Sequence, residues 1–153
     1  MSYIKYPETV EFYKKRNTLQ VKLKKPVADE AGKIADKGDG CVFFEVANAI
    51  PGDQDGRIDW SSKIVMKIGV NDLAKLLTYK GQPDEECKLF HKTQAGSSTL
   101  SLKAGQTPGT YSFNISKVTG DQKSFVNVYL NSEDMTILTT VLRAAVPTIL
   151  GWN

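Results

Sequence analysis

A chain of 153 residues, 41% hydrophobic and 24% charged, has the length of one compact domain and is too apolar for disorder. Its formal net charge of +3 is too mild to name a polyanionic partner unaided. No stretch approaches the ~20 apolar residues that cross a bilayer, and the start Met1-Ser2-Tyr3-Ile4-Lys5-Tyr6-Pro7 has no apolar core like that of a secretory signal. With only Cys41 and Cys87, no disulfide framework is expected, so the protein is expected in a reducing cytoplasm or on a nucleoid rather than secreted.

Residues 1–12 read as a loose N-terminal arm, and 13–153 as the folded domain. Leu19, Val21 and Leu23 then alternate with Gln20, Lys22 and Lys24, the pattern of a half-buried strand with a basic outer face. Lys14, Lys15, Arg16, Lys22, Lys24 and Lys25 crowd together, with no acid between Glu11 and Asp29. Such a stripe is the footprint of a phosphate-backbone binder. Equally, it is how an edge strand is kept soluble and unpaired. Pro26 ends the strand. Residues 27–40 read as a long loop, with a short strand at Lys33-Ile34-Ala35. A strongly apolar strand follows over Cys41 to Ala47. Pro51-Gly52-Asp53-Gln54-Asp55-Gly56 is dense turn chemistry that makes a hairpin. The next strand, Lys63 to Ile68, puts Ile64, Met66 and Ile68 on one face and Lys63, Val65 and Lys67 on the other. Asn71 stands at an expected helix N-cap, with Asp72 suiting the helix dipole. Leu73, Leu76 and Leu77 follow at helical spacing until Gly81 and Pro83.

The second half replays this order. Strands are expected over residues 86–91, 99–103, 110–117 and 124–130. Asn131 caps a second helix whose first turn carries Glu133 and Asp134. Its apolar stripe is Leu138, Val141, Leu142 and Ala145, and Pro147 disturbs or ends it. Two strands-then-helix units, alike in pattern and not in identity, suggest an internal duplication. The expected fold is α+β: two antiparallel sheets of about four strands each, backed by two helices.

The residues that carry chemistry point away from an enzyme. His91 lies four residues from Cys87 on one strand face, ~13 Å along the chain, too far for a nucleophile–base dyad. Three Cys and His residues in all fall short of the four ligands of structural zinc. Neither a metal nor a cofactor is expected. Glycines 52, 56, 105, 109 and 120 fall between strands, without the strand–Gly-rich turn–helix order of a phosphate loop. Aromatic residues tell more. Trp60 stands among serines beside Lys63, and Tyr111, Phe113, Phe125 and Tyr129 alternate along two strands. Rings on strands beside lysines can stack on bases while the lysines track phosphates. They can also simply fill a core, the reading favoured for Phe43, Phe44 and Phe125.

Four segments, in order, resemble the Whirly family of single-stranded DNA-binding proteins. Tyr13-Lys14-Lys15-Arg16-Asn17-Thr18-Leu19 is similar to its Lys-Gly-Lys-Ala-Ala-Leu strand. Here Lys15 replaces the glycine, Arg16 the second lysine, and Asn17 and Thr18 the two alanines. Ile58-Asp59-Trp60-Ser61-Ser62-Lys63 is similar to Tyr-Asp-Trp-Ser-Arg-Lys. Glu86-Cys87-Lys88-Leu89-Phe90-His91 resembles Glu-Ser-Cys-Glu-Phe-Phe-His with one residue fewer. Val146-Pro147-Thr148-Ile149-Leu150-Gly151-Trp152 resembles the ending Leu-Pro-Tyr-Leu-Ile-Gly-Trp. The second half is also similar in plan to the coactivator positive cofactor four. The resemblance implies two four-stranded sheets each followed by a helix, and dimers or tetramers formed through the helices. It also implies non-catalytic binding of single-stranded DNA, or of RNA, with little sequence preference. On this reading Lys14, Lys15, Arg16, Lys22, Lys63 and Lys67 face phosphates, and Asn17, Trp60 and Tyr111 face bases. A protein–protein adaptor is the rival.

Overall fold

The computed structural model describes residues 6–34 and 38–152. Its elements run β1 (Thr9–Tyr13), β2 (Asn17–Lys24), β3 (Cys41–Asn48), β4 (Ile64–Ile68), α1 (Val70–Thr78), β5 (Glu86–Thr93), β6 (Gly96–Ala104), β7 (Thr110–Thr119), β8 (Gln122–Asn131) and α2 (Ser132–Ile149). Strands β1-β2-β3-β4 form one antiparallel sheet and β5-β6-β7-β8 a second, each in simple meander order. The expected fold class therefore holds: four strands and a helix, twice.

Period-two burial builds each sheet. Leu19 and Val21 of β2, Val42, Phe44 and Val46 of β3, and Ile64, Met66 and Ile68 of β4 point inward. Leu100 and Leu102 of β6, Phe113 and Ile115 of β7, and Val126, Val128 and Leu130 of β8 do the same in the second sheet. Both inner faces join one hydrophobic core, closed by Leu73 and Leu76 of α1 and by Leu138, Leu142 and Ala145 of α2. Phe44 and Phe113 meet edge-to-face across it, ring centroids 5.3 Å apart at 82°, the geometry that ring quadrupoles favour.

Local chemistry sets the ends. Asn131 caps α2: its side-chain carbonyl accepts from the Asp134 backbone at 2.8 Å, while the Asp134 carboxylate accepts from the Asn131 backbone at 3.0 Å. The pair satisfies two helix-end amides at once. Pro147 does not end α2, which runs on through it to Ile149. Pro147 forfeits the one bond that an N–H there would have made to the Arg143 carbonyl, and only two residues of the helix follow it.

Three expectations are corrected. Residues 9–12 are not arm but strand: Thr9 to Tyr13 pairs with Lys22 to Thr18, and Phe12 is buried. A Tyr6–Thr9 turn, closed at 3.1 Å with Pro7 inside, leads into it. The N-cap of α1 is Gly69, not Asn71. The Gly69 carbonyl takes the first helical bond from Leu73 at 2.9 Å, and Asn71 lies exposed inside the first turn. The short strand at Lys33-Ile34-Ala35 reduces to a single bridge from Ile34 to Ala28, and Ala35 lies outside the described residues.

Candidate nucleic-acid interface

Each sheet turns one face outward, and strand register decides what stands there. On the first sheet one cross-strand row is Thr9–Lys22–Phe43–Lys67 and the next is Glu11–Gln20–Glu45–Val65. Glu45 is 6% exposed. It accepts from Lys22 at 2.8 Å on one oxygen and from Lys63 at 2.7 Å on the other. Burial alone would push its carboxyl up, but these two lysine hydrogen bonds outweigh it and hold the carboxyl below its ordinary value. Lys22 and Lys63 thus sit where predicted, on the outer face, but share one buried carboxylate. Their stabilising contribution is present above the ordinary glutamate range and is lost as pH falls through the depressed value. Glu45→Gln should cost about 1 kcal/mol at neutral pH. It should also flatten the acid limb of the stability profile, followed by urea unfolding at several pH values.

The β1–β2 turn is divided in the same way. The Lys14 ammonium pairs with Asp134, which is 1% exposed at the start of α2. Asn17 donates its amide to the Asn127 carbonyl of β8 at 2.7 Å. Both predicted contacts therefore tie the first sheet to the second unit. Lys15 and Arg16 are exposed at the tip of the turn. They line an open cleft of about 420 Å³ with Tyr13 and the 50–56 hairpin. That hairpin brings Asp53 and Asp55 into the same cleft, and Asp53 is held by Arg57 at 2.6 Å. Lys67 stands exposed on the β4 edge strand.

Trp60 is 37% exposed, in a 3-10 turn over Trp60–Ser62 at the foot of β4. The Asp59 carboxylate accepts from the Ser61 hydroxyl and braces that turn. Tyr111 is elsewhere. It shares the inward face of β7 with Phe113, packs half-buried against the core, and lies over Gly81. It is not beside Trp60 on an outer face.

The larger aromatic display lies on the second sheet, among residues outside the expected site. Phe90, Phe125 and Tyr129 are 62%, 60% and 61% exposed on the outer face of the second sheet. Register aligns Phe90–Thr99–Ser116–Phe125 in one row and Glu86–Lys103–Ser112–Tyr129 in another. Phe90 and Phe125 are therefore ~14 Å apart across four strands, and Tyr129 is ~13 Å along β8 from Phe125. Lys88 and Lys92 flank Phe90, Lys123 flanks Phe125, and Lys103 stands in Tyr129's row. Among the described residues these four lysines have no acidic partner. Serine, threonine and asparagine fill the centre. The signal was available: Val126, Val128 and Leu130 face inward, so period two sends Phe125 and Tyr129 out. The expectation that Phe125 fills the core is corrected accordingly.

Catalytic chemistry finds little support in the geometry. Cys41 and Cys87 are free and buried, and burial pushes both thiols up, the opposite of an activated nucleophile. The ring of His91 meets Asp72 of α1 at 2.6 Å and not Cys87. Among the described residues no cluster of His, Cys, Asp or Glu has metal-binding geometry, and no helix is long and apolar enough to cross a membrane.

Comparison with known proteins agrees with this architecture. WHY3 from Arabidopsis thaliana superposes with a TM-score of 0.81 at 20% identity, over 97% of this chain and 92% of that one. The plant transcriptional regulator PBF-2 gives 0.80 at 18% identity, over 94% and 82%. The MRP1/MRP2 proteins of Trypanosoma bruciei give 0.57 at 10% identity, over 96% and 88%. No curated protein sequence matches the chain. The family model described as Whirly transcription factor matches residues 12–141. With that span covering most of both sheets and α2, the chain belongs to the Whirly family.

Proposed function

We propose that this protein binds single-stranded DNA without catalysis and with little sequence preference, coating it during replication, recombination, repair or transcription. The observation that carries the reading is the outer face of the second sheet, where Phe90, Phe125 and Tyr129 alternate with Lys88, Lys92, Lys103 and Lys123. Every base has a π-face, so exposed rings accept any sequence, and lysines accept any backbone. On the first sheet, Lys15, Arg16 and Lys67 extend the basic surface, and Trp60 adds a ring.

The same reading includes self-association as a dimer or tetramer. An apolar groove of about 310 Å³ opens between α2 and the edge of the first sheet, lined by Val10, Leu23, Val42, Val141 and Ala144. A second copy covering it would bury surface that one chain leaves wet. Cys41 and Cys87, buried and free, suit a reducing compartment.

The test is fluorescence anisotropy of a labelled thymine strand of about 30 nucleotides, with unlabelled duplex as competitor. Binding that duplex does not displace is expected; no binding at low salt would return the search to protein partners. Competition by RNA of the same sequence separates the two sugars. Trp60→Ala should weaken strand binding by about 1–3 kcal/mol, the worth of one stacked base. A value unchanged from the parent would remove Trp60 from the interface.

A further inference from the structure

The second sheet's outer face does not stay flat. At the end where β6 passes to β7, residues 105–109 curl beside it and leave a polar cleft of about 710 Å³. Its lining includes Lys103, Gln106, Thr107, Thr110, Ser112 and Tyr129. That volume lies within the range of sites that take one small ligand. The lining contains no acid. It has one cation, one exposed ring, one side-chain amide and several hydroxyls. Glu86 stands opposite Lys103 in register, yet among the described residues the two form no ion pair.

The loop is tied down, so the cleft is formed in advance. The Gly105 amide donates to the Thr110 carbonyl at 2.8 Å, and the Thr110 amide to the Thr107 carbonyl at 3.2 Å. The Thr110 hydroxyl donates to that same carbonyl at 2.5 Å. Ser132, at the start of α2, donates its hydroxyl to the Gly109 carbonyl at 3.4 Å. Gly105 is needed here: a Cβ would come within 2.6 Å of the Thr110 hydroxyl. Ser112 spends its hydroxyl proton on Asn127 at 2.6 Å. That leaves Lys103, the Gln106 amide and the Tyr129 ring without partners among the described residues.

We infer that this cleft is a discrete site for one nucleotide of the bound strand, with the base on the Tyr129 ring, a phosphate at the Lys103 ammonium and the Gln106 amide at the base edge. A ring, a cation and a two-way hydrogen-bonding amide in one polar cleft match a nucleotide's π-face, phosphate and Watson–Crick edge. The inference rests on the single-strand reading above and adds to it a fixed point. A strand crossing the Phe90–Phe125 row is anchored where Tyr129 stands, so the interface has a register on the strand.

The test uses the full chain and a thymine strand of about 30 nucleotides carrying 5-iodouracil, cross-linked by light and mapped by mass spectrometry. Anisotropy is run in parallel on Tyr129→Ala, Tyr129→Phe and Lys103→Gln. A cross-link to the Tyr129 peptide is expected. Tyr129→Ala should weaken binding roughly 5- to 150-fold and Tyr129→Phe, which keeps the ring, much less. Lys103→Gln should lower the slope of log affinity against log salt by about 0.7, one phosphate on a single strand. Tyr129 is exposed, so unaltered thermal unfolding of these variants is the expected control. If the strand binds but Tyr129→Ala binds as the parent does, the cleft is not a nucleotide site while the broader reading stands. Equal losses in Tyr129→Phe and Tyr129→Ala would overturn the stacking role. A parent chain that binds no strand at low salt would overturn both.

Discussion

Between about 50 and 200 mM salt, affinity for a thymine strand should fall by about fiftyfold. The figure follows from counterion release. Each phosphate neutralised on a single strand contributes about −0.7 to the slope of log affinity against log salt, so about four such contacts over a fourfold change in salt give that loss. The four counted are the lysines of the second sheet's outer face, and each further contact from Lys15, Arg16 or Lys67 would steepen the slope. Lys14 is committed to Asp134, and Lys22 and Lys63 share Glu45. A cation already paired within the protein releases fewer counterions when a phosphate arrives. Lys88, Lys92, Lys103 and Lys123, with no such partner among the described residues, replace them. Lys123→Gln should therefore reduce the slope, whereas Lys14→Gln should chiefly destabilise α2's start and leave the slope nearly intact. Both are read by anisotropy at four or five salt concentrations, with thermal unfolding alongside. A slope near zero would strip all these lysines of a phosphate role.

The division between paired and unpaired lysines explains what the sequence could and could not disclose. Helix caps and strand periods are local. Asn131 and Asp134 lie three residues apart, and Ile64, Met66 and Ile68 alternate within five residues, so both features are visible in a short window. The partners of the basic stripe are not local. Lys14 meets Asp134 across 120 positions, and Asn17 reaches Asn127 across 110. Those contacts exist only because β2 and β8 come together when the sheets pack. Charge clustering therefore marks a basic stretch but cannot tell which ammonium groups are neutralised on folding. Strand β1 escaped for a different reason. Its apolar face holds only Val10 and Phe12, against the three positions of β4, beside an irregular start, too few to register as a period. At Gly69, the expected cap lost to the strand: β4 ends at Ile68, and the chain turns into the helix before Asn71 is reached.

Phenylalanine is where these two kinds of information meet, and a pair of substitutions separates them. Phe113→Ala should destabilise the fold by about 3–5 kcal/mol. Phe113 is fully buried on the inner face of β7, and its ring meets Phe44 where the two sheets share their core. Removing it deletes apolar contact and leaves a void between two sheets held by their own ladders, which cannot collapse to fill it. Phe125→Ala, one strand away, should change stability by no more than about 0.5 kcal/mol, because its ring is already mostly in water. Its effect should fall instead on strand affinity, at about 1–3 kcal/mol. Urea unfolding gives the first number of each pair and anisotropy the second. A Phe125→Ala chain that unfolds as easily as Phe113→Ala would mean that something covers the outer face, a second copy being the first suspect. One that keeps both stability and affinity would take the central ring out of the interface and move the strand toward Trp60 and the first sheet. The outcome turns on one residue step: had the register of β8 slipped by one, Phe125 would join the core and Val126 would face the solvent.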